Sequence, residues 1–133
     1  MEPAFQTLRI RKEWETLKEV NPRFFMLLQQ IFNKAWPTVP IITNLYRTQM
    51  EQDRIYKNSP KYQTSPWQSV HQSWRGCDVT VKNLKKKEVR ELDTKVNLAW
   101  PYGKGDIKTL LFHNVGQGNH GHLQLRYYAP EEE

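Results

Sequence analysis

Apolar side chains recur at helical spacing from the start of the chain: Phe5, Leu8, Trp14, Leu17 and Val20 stand among charges, predicting an amphipathic helix over 5–20. Asn21-Pro22 reads as an N-cap followed by proline at the first helical position. It opens a second helix carrying Phe24, Phe25, Leu27, Leu28, Ile31 and Phe32, which Pro37 and Pro40 terminate. Val39 to Tyr46 is β-branched and aromatic, as a buried strand would be. Thr48 to Glu51 has the Thr-x-x-Glu form of a capping box and predicts a short helix over 49–57. Ser, Pro, Tyr, Gln and Lys dominate 58–69, which reads as a long exposed loop of the kind that often carries function. Gly76 to Val81 alternates as a strand does, Lys85 to Trp100 predicts a helix, and Pro101 to Asp106 is a turn-rich connection. Strands at 109–115 and 120–128 are joined by Gly116-Gln117-Gly118-Asn119, an antiparallel hairpin. No repeat is apparent, and the tail 129–133 is expected to fray. The order of elements predicts one α+β domain over 1–133, with a small, mainly antiparallel sheet flanked by helices.

Composition narrows the class. A chain of 133 residues has room for one ordinary domain, and its five Trp, six Tyr and five Phe supply a core despite an apolar share of only 38%. The longest apolar stretches, such as Phe24 to Leu28, fall far short of the roughly 20 residues a membrane helix needs, so no membrane span is expected. The first residues lack the basic start and apolar stretch of a signal peptide, so synthesis is expected to end in the cytoplasm. A single cysteine, Cys77, excludes an internal disulfide framework and a four-cysteine zinc site. Twenty Lys and Arg against 14 Asp and Glu give a net charge of +6, which favours polyanionic partners such as nucleic acid, anionic lipid or a cell-wall polymer. Much of that excess lies in Lys82 to Arg90, where a solvated helix face is the simpler reading than a binding patch.

The chemistry concentrates in the histidines. There are four, and His113, His120 and His122 lie within ten residues of one another on the expected hairpin. His120 and His122 are two apart, so on a strand their side chains leave the same face. A turn through Ser73 to Gly76 would fold His71 and Asp78 back toward one centre. Two imidazoles and a carboxylate suit zinc in a site that keeps one position open. Taken singly, a lone His-x-His or a strand Asp is unremarkable, but together they favour a metal. Cys77 alternates away from Asp78 and reads as a small core residue. Trp67 and Trp74 flank His71 and read equally well as groove lining or as packing.

These motifs resemble a known group of enzymes. Ser69-Val70-His71 followed by Arg75-Gly76-Cys77-Asp78 is similar to the Ser-x-His and Gly-x-Asp pattern of the zinc D-alanyl-D-alanine carboxypeptidases. His120-Gly121-His122-Leu123 resembles the His-x-His of the wider group that includes lysostaphin, murein endopeptidase and the hedgehog signalling domain. Ile42 to Thr48, with Glu51-Gln52, is similar to the group's Arg-Thr and Glu-Gln element. The resemblance covers about 40–127 and joins three separated motifs in family order, leaving the helical residues 1–36 outside it. It implies a hedgehog/DD-peptidase-like fold and a peptidase whose Zn2+ is held by His71, Asp78 and His122. It also gives Arg47 the role of binding the scissile carbonyl and its developing oxyanion, and Ser69 a place in the substrate pocket. A guanidinium there would stabilise charge that grows only toward the tetrahedral intermediate. One departure matters. The carboxypeptidase branch has an acidic general base three residues before the last His ligand, and this chain has Asn119, whose amide cannot take a proton at neutral pH. His120 then inherits the base role, with His113 orienting or replacing it.

The expected function is zinc-dependent hydrolysis of a peptide bond in the peptidoglycan stem peptide or cross-bridge, as a D,D-carboxypeptidase or endopeptidase, by a monomer with no nucleic-acid partner expected. Such a small domain fits a phage lytic protein that reaches the wall through lysis-linked release or as part of a virion. Two rivals stand beside it. Asn119 motivates a zinc-retaining but inactive phage structural or cell-wall-binding module. Lys82 to Arg90 motivates a basic nucleic-acid-binding domain, which would leave the histidines unexplained.

Overall fold

The computed structural model describes residues 2–114 and 119–126, and the side chains of His113, Asn114 and Asn119 lie outside that description. The fold is α+β. A mixed five-stranded sheet has the order β1-β2-β3-β5-β4, built from β1 (Ala4–Phe5), β2 (Ile41–Asn44), β3 (Gly76–Thr80), β4 (Leu110–Asn114) and β5 (Asn119–Gln124). Only the β1–β2 pair is parallel.

The expected helix over 5–20 begins later, as α1 (Leu8–Val20), because Thr7 caps it by accepting from the Ile10 amide at 3.2 Å. The residues before that cap are drawn instead to the sheet edge, where Ala4 N–H donates to the Pro40 carbonyl and Gln6 N–H to that of Ile42. The second helix, α2 (Pro22–Lys34), starts as expected, with Asn21 Oδ1 accepting from the Phe24 amide and Pro22 just inside. It buries Phe24, Leu28, Ile31 and Phe32 against Trp14 and Leu17 of α1.

The long exposed loop expected over 58–69 is not what forms. Ser59 caps a short helix, α4 (Pro60–Thr64), by accepting from the Tyr62 amide, and Tyr62 is buried. Its ring joins Tyr56 and Trp67 in a three-ring cluster with centroids 4.7–5.2 Å apart, and its hydroxyl donates to Asp53 at 2.7 Å. That packing holds the segment against α3 (Gln49–Ile55), whose capping box between Thr48 and Glu51 is formed as the sequence indicates.

The helix α5 (Lys86–Ala99) buries Leu92 and Val96 and turns Lys86, Lys87 and Arg90, with Lys85 at its N-cap, to solvent. Asn97 fastens α5 to the hairpin: its side-chain oxygen accepts from the Leu110 amide and its nitrogen donates to the Leu110 carbonyl, both at 2.9 Å. The sheet is thereby two-faced. Cys77 and Val79 of β3 and Leu123 of β5 point into the helical core, while Asp78, His120 and His122 point to the other side. Among the described residues, no helix is long and apolar enough to cross a membrane.

Candidate metal centre

Strand alternation and register bring the site together. Asp78 lies opposite His122 and Thr80 opposite His120 across the β3–β5 pair, so Asp78, His120 and His122 share one face. His71 arrives from a separate segment, the 3-10 turn Val70–Ser73 that precedes β3. Ser69 caps this turn by accepting from the His71 amide at 3.1 Å, and Trp74 closes it in the left-handed conformation (φ 58°). The Arg75 amide then donates to the Val70 carbonyl at 2.9 Å. Gly76 is required where turn meets strand: a Cβ there would sit 2.6 Å from Val70 Cγ2 and 3.2 Å from His71 Nδ1. The second glycine, Gly121, lies between the two histidines on the opposite face, where a Cβ would press to 3.3 Å from Leu110 and 3.4 Å from Trp36.

Three buried side chains, His71, Asp78 and His122, form a group able to hold a metal ion, with one donor atom from each lying within 4.8 Å of the others. His122 Nδ1 is 2.7 Å from Asp78 Oδ1, and His71 Nε2 is 3.3 Å from Asp78 Oδ2. The donor chemistry fits a cation. His71 Nδ1 faces the Leu45 carbonyl at 3.0 Å, and a carbonyl only accepts, so this nitrogen carries a proton. Nε2 faces the Asp78 carboxylate, and that contact is favourable when a positive species, a second ring proton or a metal ion, stands between them. His122 is held similarly, with Nε2 3.2 Å from Gln124 Oε1 and Nδ1 toward Asp78. The Asn44 amide donates to Asp78 Oδ2 at 3.4 Å, supporting the carboxylate from β2.

His120 is buried beside this group rather than within it. Its Nδ1 lies 3.3 Å from Thr43 Oγ1. The Thr43 hydroxyl also lies 3.3 Å from the Asp78 carbonyl; when its one proton goes there, the hydroxyl oxygen accepts from Nδ1–H and Nε2 of His120 is the basic nitrogen. The bulge in β2 between Ile42 and Asn44 is what lets both Thr43 and Asn44 reach this face.

Arg47 is tied to the site twice. Its amide donates to the His71 carbonyl at 3.3 Å, and its Nη1 donates to Gln52 Oε1 at 2.8 Å. Gln52 is fully buried and also donates to the Trp67 carbonyl, so α3 and the aromatic cluster together fix the guanidinium. Arg47 Nε is buried with no hydrogen-bond partner among the described residues. Beside it lies a cavity of about 400 Å³ lined by Thr43, Asn44 and Arg47 on one side and by Arg9, Glu13 and Glu51 on another. Arg9 bridges those two carboxylates at 2.8 and 2.7 Å, and its hydrogen bond holds the Glu51 carboxyl down at about 2.

The metal set expected from the sequence therefore converges; Ser69 caps the turn that carries His71, His120 shares a strand face with His122, and Arg47 is joined to His71 through its backbone. Ser69 spends its hydroxyl oxygen on the turn that presents His71. Trp74 stacks on Tyr46 at 4.5 Å, while Trp67 belongs to the three-ring cluster and remains exposed at its edge. The side chains of His113 and Asn119 lie outside the described residues, although their backbones pair with His120 and Asn114. Sequence reasoning gave no role to Gln124, nor to Thr43, Asn44 and Gln52, which stood only within the Arg-Thr and Glu-Gln resemblance. Alternation from His122 would have found Gln124, whereas the others depend on contacts across the fold. No protein-family model, curated protein or solved structure matches the chain.

Proposed function

We propose that this chain is a zinc-dependent peptidase of the hedgehog/DD-peptidase type that hydrolyses a peptide bond in bacterial peptidoglycan, as a D,D-carboxypeptidase or a cross-link endopeptidase. The observation that carries the reading is the convergence of His71, Asp78 and His122 with His71 Nε2 and His122 Nδ1 turned toward the carboxylate. Two imidazoles and one carboxylate are the ligand types of catalytic zinc. The substrate class rests on the resemblance of the Ser-x-His, Gly-x-Asp and His-x-His motifs, and the net charge of +6 suits an anionic wall.

When bound, zinc supplies a Lewis acid that polarises a carbonyl and acidifies water. The chain's own groups do the remaining work. Nε2 of His120, kept basic by Thr43, accepts a proton from the attacking water and returns it to the leaving amine. The Arg47 guanidinium, held by Gln52, stabilises the oxygen on which negative charge accumulates. The cavity beyond Arg47 takes the flanking peptide, so that α1, outside the resembling motifs, forms one of its walls through Arg9 and Glu13.

The test is to incubate zinc-loaded protein with purified sacculi and identify the released fragments by mass spectrometry. Fragments from one stem-peptide or cross-bridge bond, absent with His71→Ala, are expected. Intact sacculi in the presence of zinc-loaded protein would instead point to a binding module.

A further inference from the structure

We propose that Gln124 is the positioning residue that fixes His122 in the tautomer presenting Nδ1 to the metal; this rests on the metal reading of His71, Asp78 and His122. Gln124 follows His122 by two on β5 and so lies on the same face. Its amide has one admissible orientation. The side-chain nitrogen donates to the Lys108 carbonyl at 2.8 Å, and a carbonyl only accepts, so the amide oxygen must be the atom facing His122. Gln124 Oε1 stands 3.2 Å from His122 Nε2 and can itself only accept. Nε2 therefore carries a proton. Asp78 Oδ1, 2.7 Å from Nδ1, also only accepts, so Nδ1 shares a proton with it until a metal takes that proton's place and receives the Nδ1 lone pair.

The residue that carries the orienting carbonyl is itself anchored. The Gln124 backbone N–H donates to the Thr109 carbonyl at 2.9 Å, and the Thr109 hydroxyl donates to the Trp100 carbonyl at the end of α5. Asn97 clamps the next residue, Leu110, to the same helix. The lock on His122 thus runs from α5 through the start of β4 to Gln124. On the other ligand the same task falls to the Leu45 carbonyl, a backbone group that substitution cannot remove, which makes Gln124 the side chain through which the principle can be tested.

Two variants and one spectrum decide it. Gln124→Leu removes the acceptor at similar volume, and Gln124→Glu keeps an acceptor toward Nε2. Zinc affinity is measured by competition with a chromophoric chelator, and the 15N shifts of the His122 ring are recorded in zinc-loaded protein. In the wild type, Nδ1 should be the coordinated nitrogen and Nε2 should carry the proton. Gln124→Leu should weaken zinc by about 10- to 100-fold, as loss of such a partner typically does, while Gln124→Glu should bind at least as tightly as wild type. Wild-type affinity in Gln124→Leu, or coordination of the wild-type ring through Nε2, overturns the proposal even if zinc binds. The wild-type ring spectrum decides should Gln124→Leu fail to fold. A wild type that binds no zinc defeats the metal reading itself, and this proposal with it.

Discussion

Arg47 and Thr43 are the residues whose roles separate most cleanly from metal binding, because neither belongs to the His71, Asp78 and His122 group. Arg47→Ala should leave zinc affinity unchanged and lower hydrolysis by about 10² to 10³, the usual effect of deleting a donor to a developing oxyanion. An unchanged turnover number would return Arg47 to the structural task of tying Gln52 to the His71 segment. Thr43→Val keeps the shape but deletes the acceptor for His120 Nδ1–H, so the ring is free to adopt the tautomer with its proton on Nε2. Hydrolysis should fall by about 10-fold or more while zinc stays bound, since general-base catalysis contributes on the order of 10² to 10⁴. Wild-type kinetics in this variant would remove His120 from the base role.

At the scale of elements, α3 couples the N-terminal helix to the site. Glu51 caps α3 through the Thr48 amide at 3.0 Å and bridges to Arg9 of α1, and its carboxyl is held at about 2 rather than near its ordinary 4.5, first by the Arg9 hydrogen bond. A depressed carboxylate contributes stability that is fully present above its unfolded value and is lost as pH falls through its folded one. The wild type should therefore lose an increment of stability between about pH 5 and pH 2 that Glu51→Gln does not lose, read from urea unfolding at each pH. A constant difference between the two proteins over that range would contradict the coupling. Most of these elements were legible in the chain. The helices at 22–34 and 86–99, the strands other than β1 and the Thr48 capping box follow from periodicity and cap chemistry; spacing singles out His71, Asp78 and one of the hairpin histidines, and the choice of His122 comes from the resemblance. α4 was hidden although Ser59-Pro60 is the same N-cap and proline signal as Asn21-Pro22, because the polar composition around it masks one buried tyrosine. β1 was hidden for another reason: its two residues are strand only because Pro40 and Ile42 offer carbonyls across the fold. The partners of the ligands, Leu45 to His71 and Thr43 to His120, span 26 and 77 residues in sequence and carry no local signature.

For the whole molecule, the sheet divides labour between its faces. One face is sealed by α1, α2 and α5 over Cys77, Val79 and Leu123, and burial pushes the Cys77 thiol well above its ordinary range, leaving it an inert packing residue. The other face gathers the buried His71, Asp78 and His122 closely enough to hold a metal ion. The central claim is that zinc binds this native site and raises native stability by mass action. The most direct measurement is calorimetric titration of metal-free protein with zinc, run beside Asp78→Ala. The account predicts about one zinc per chain for the wild type, with loss of that site in the variant. No uptake by the wild type, or equal uptake by both, would contradict it.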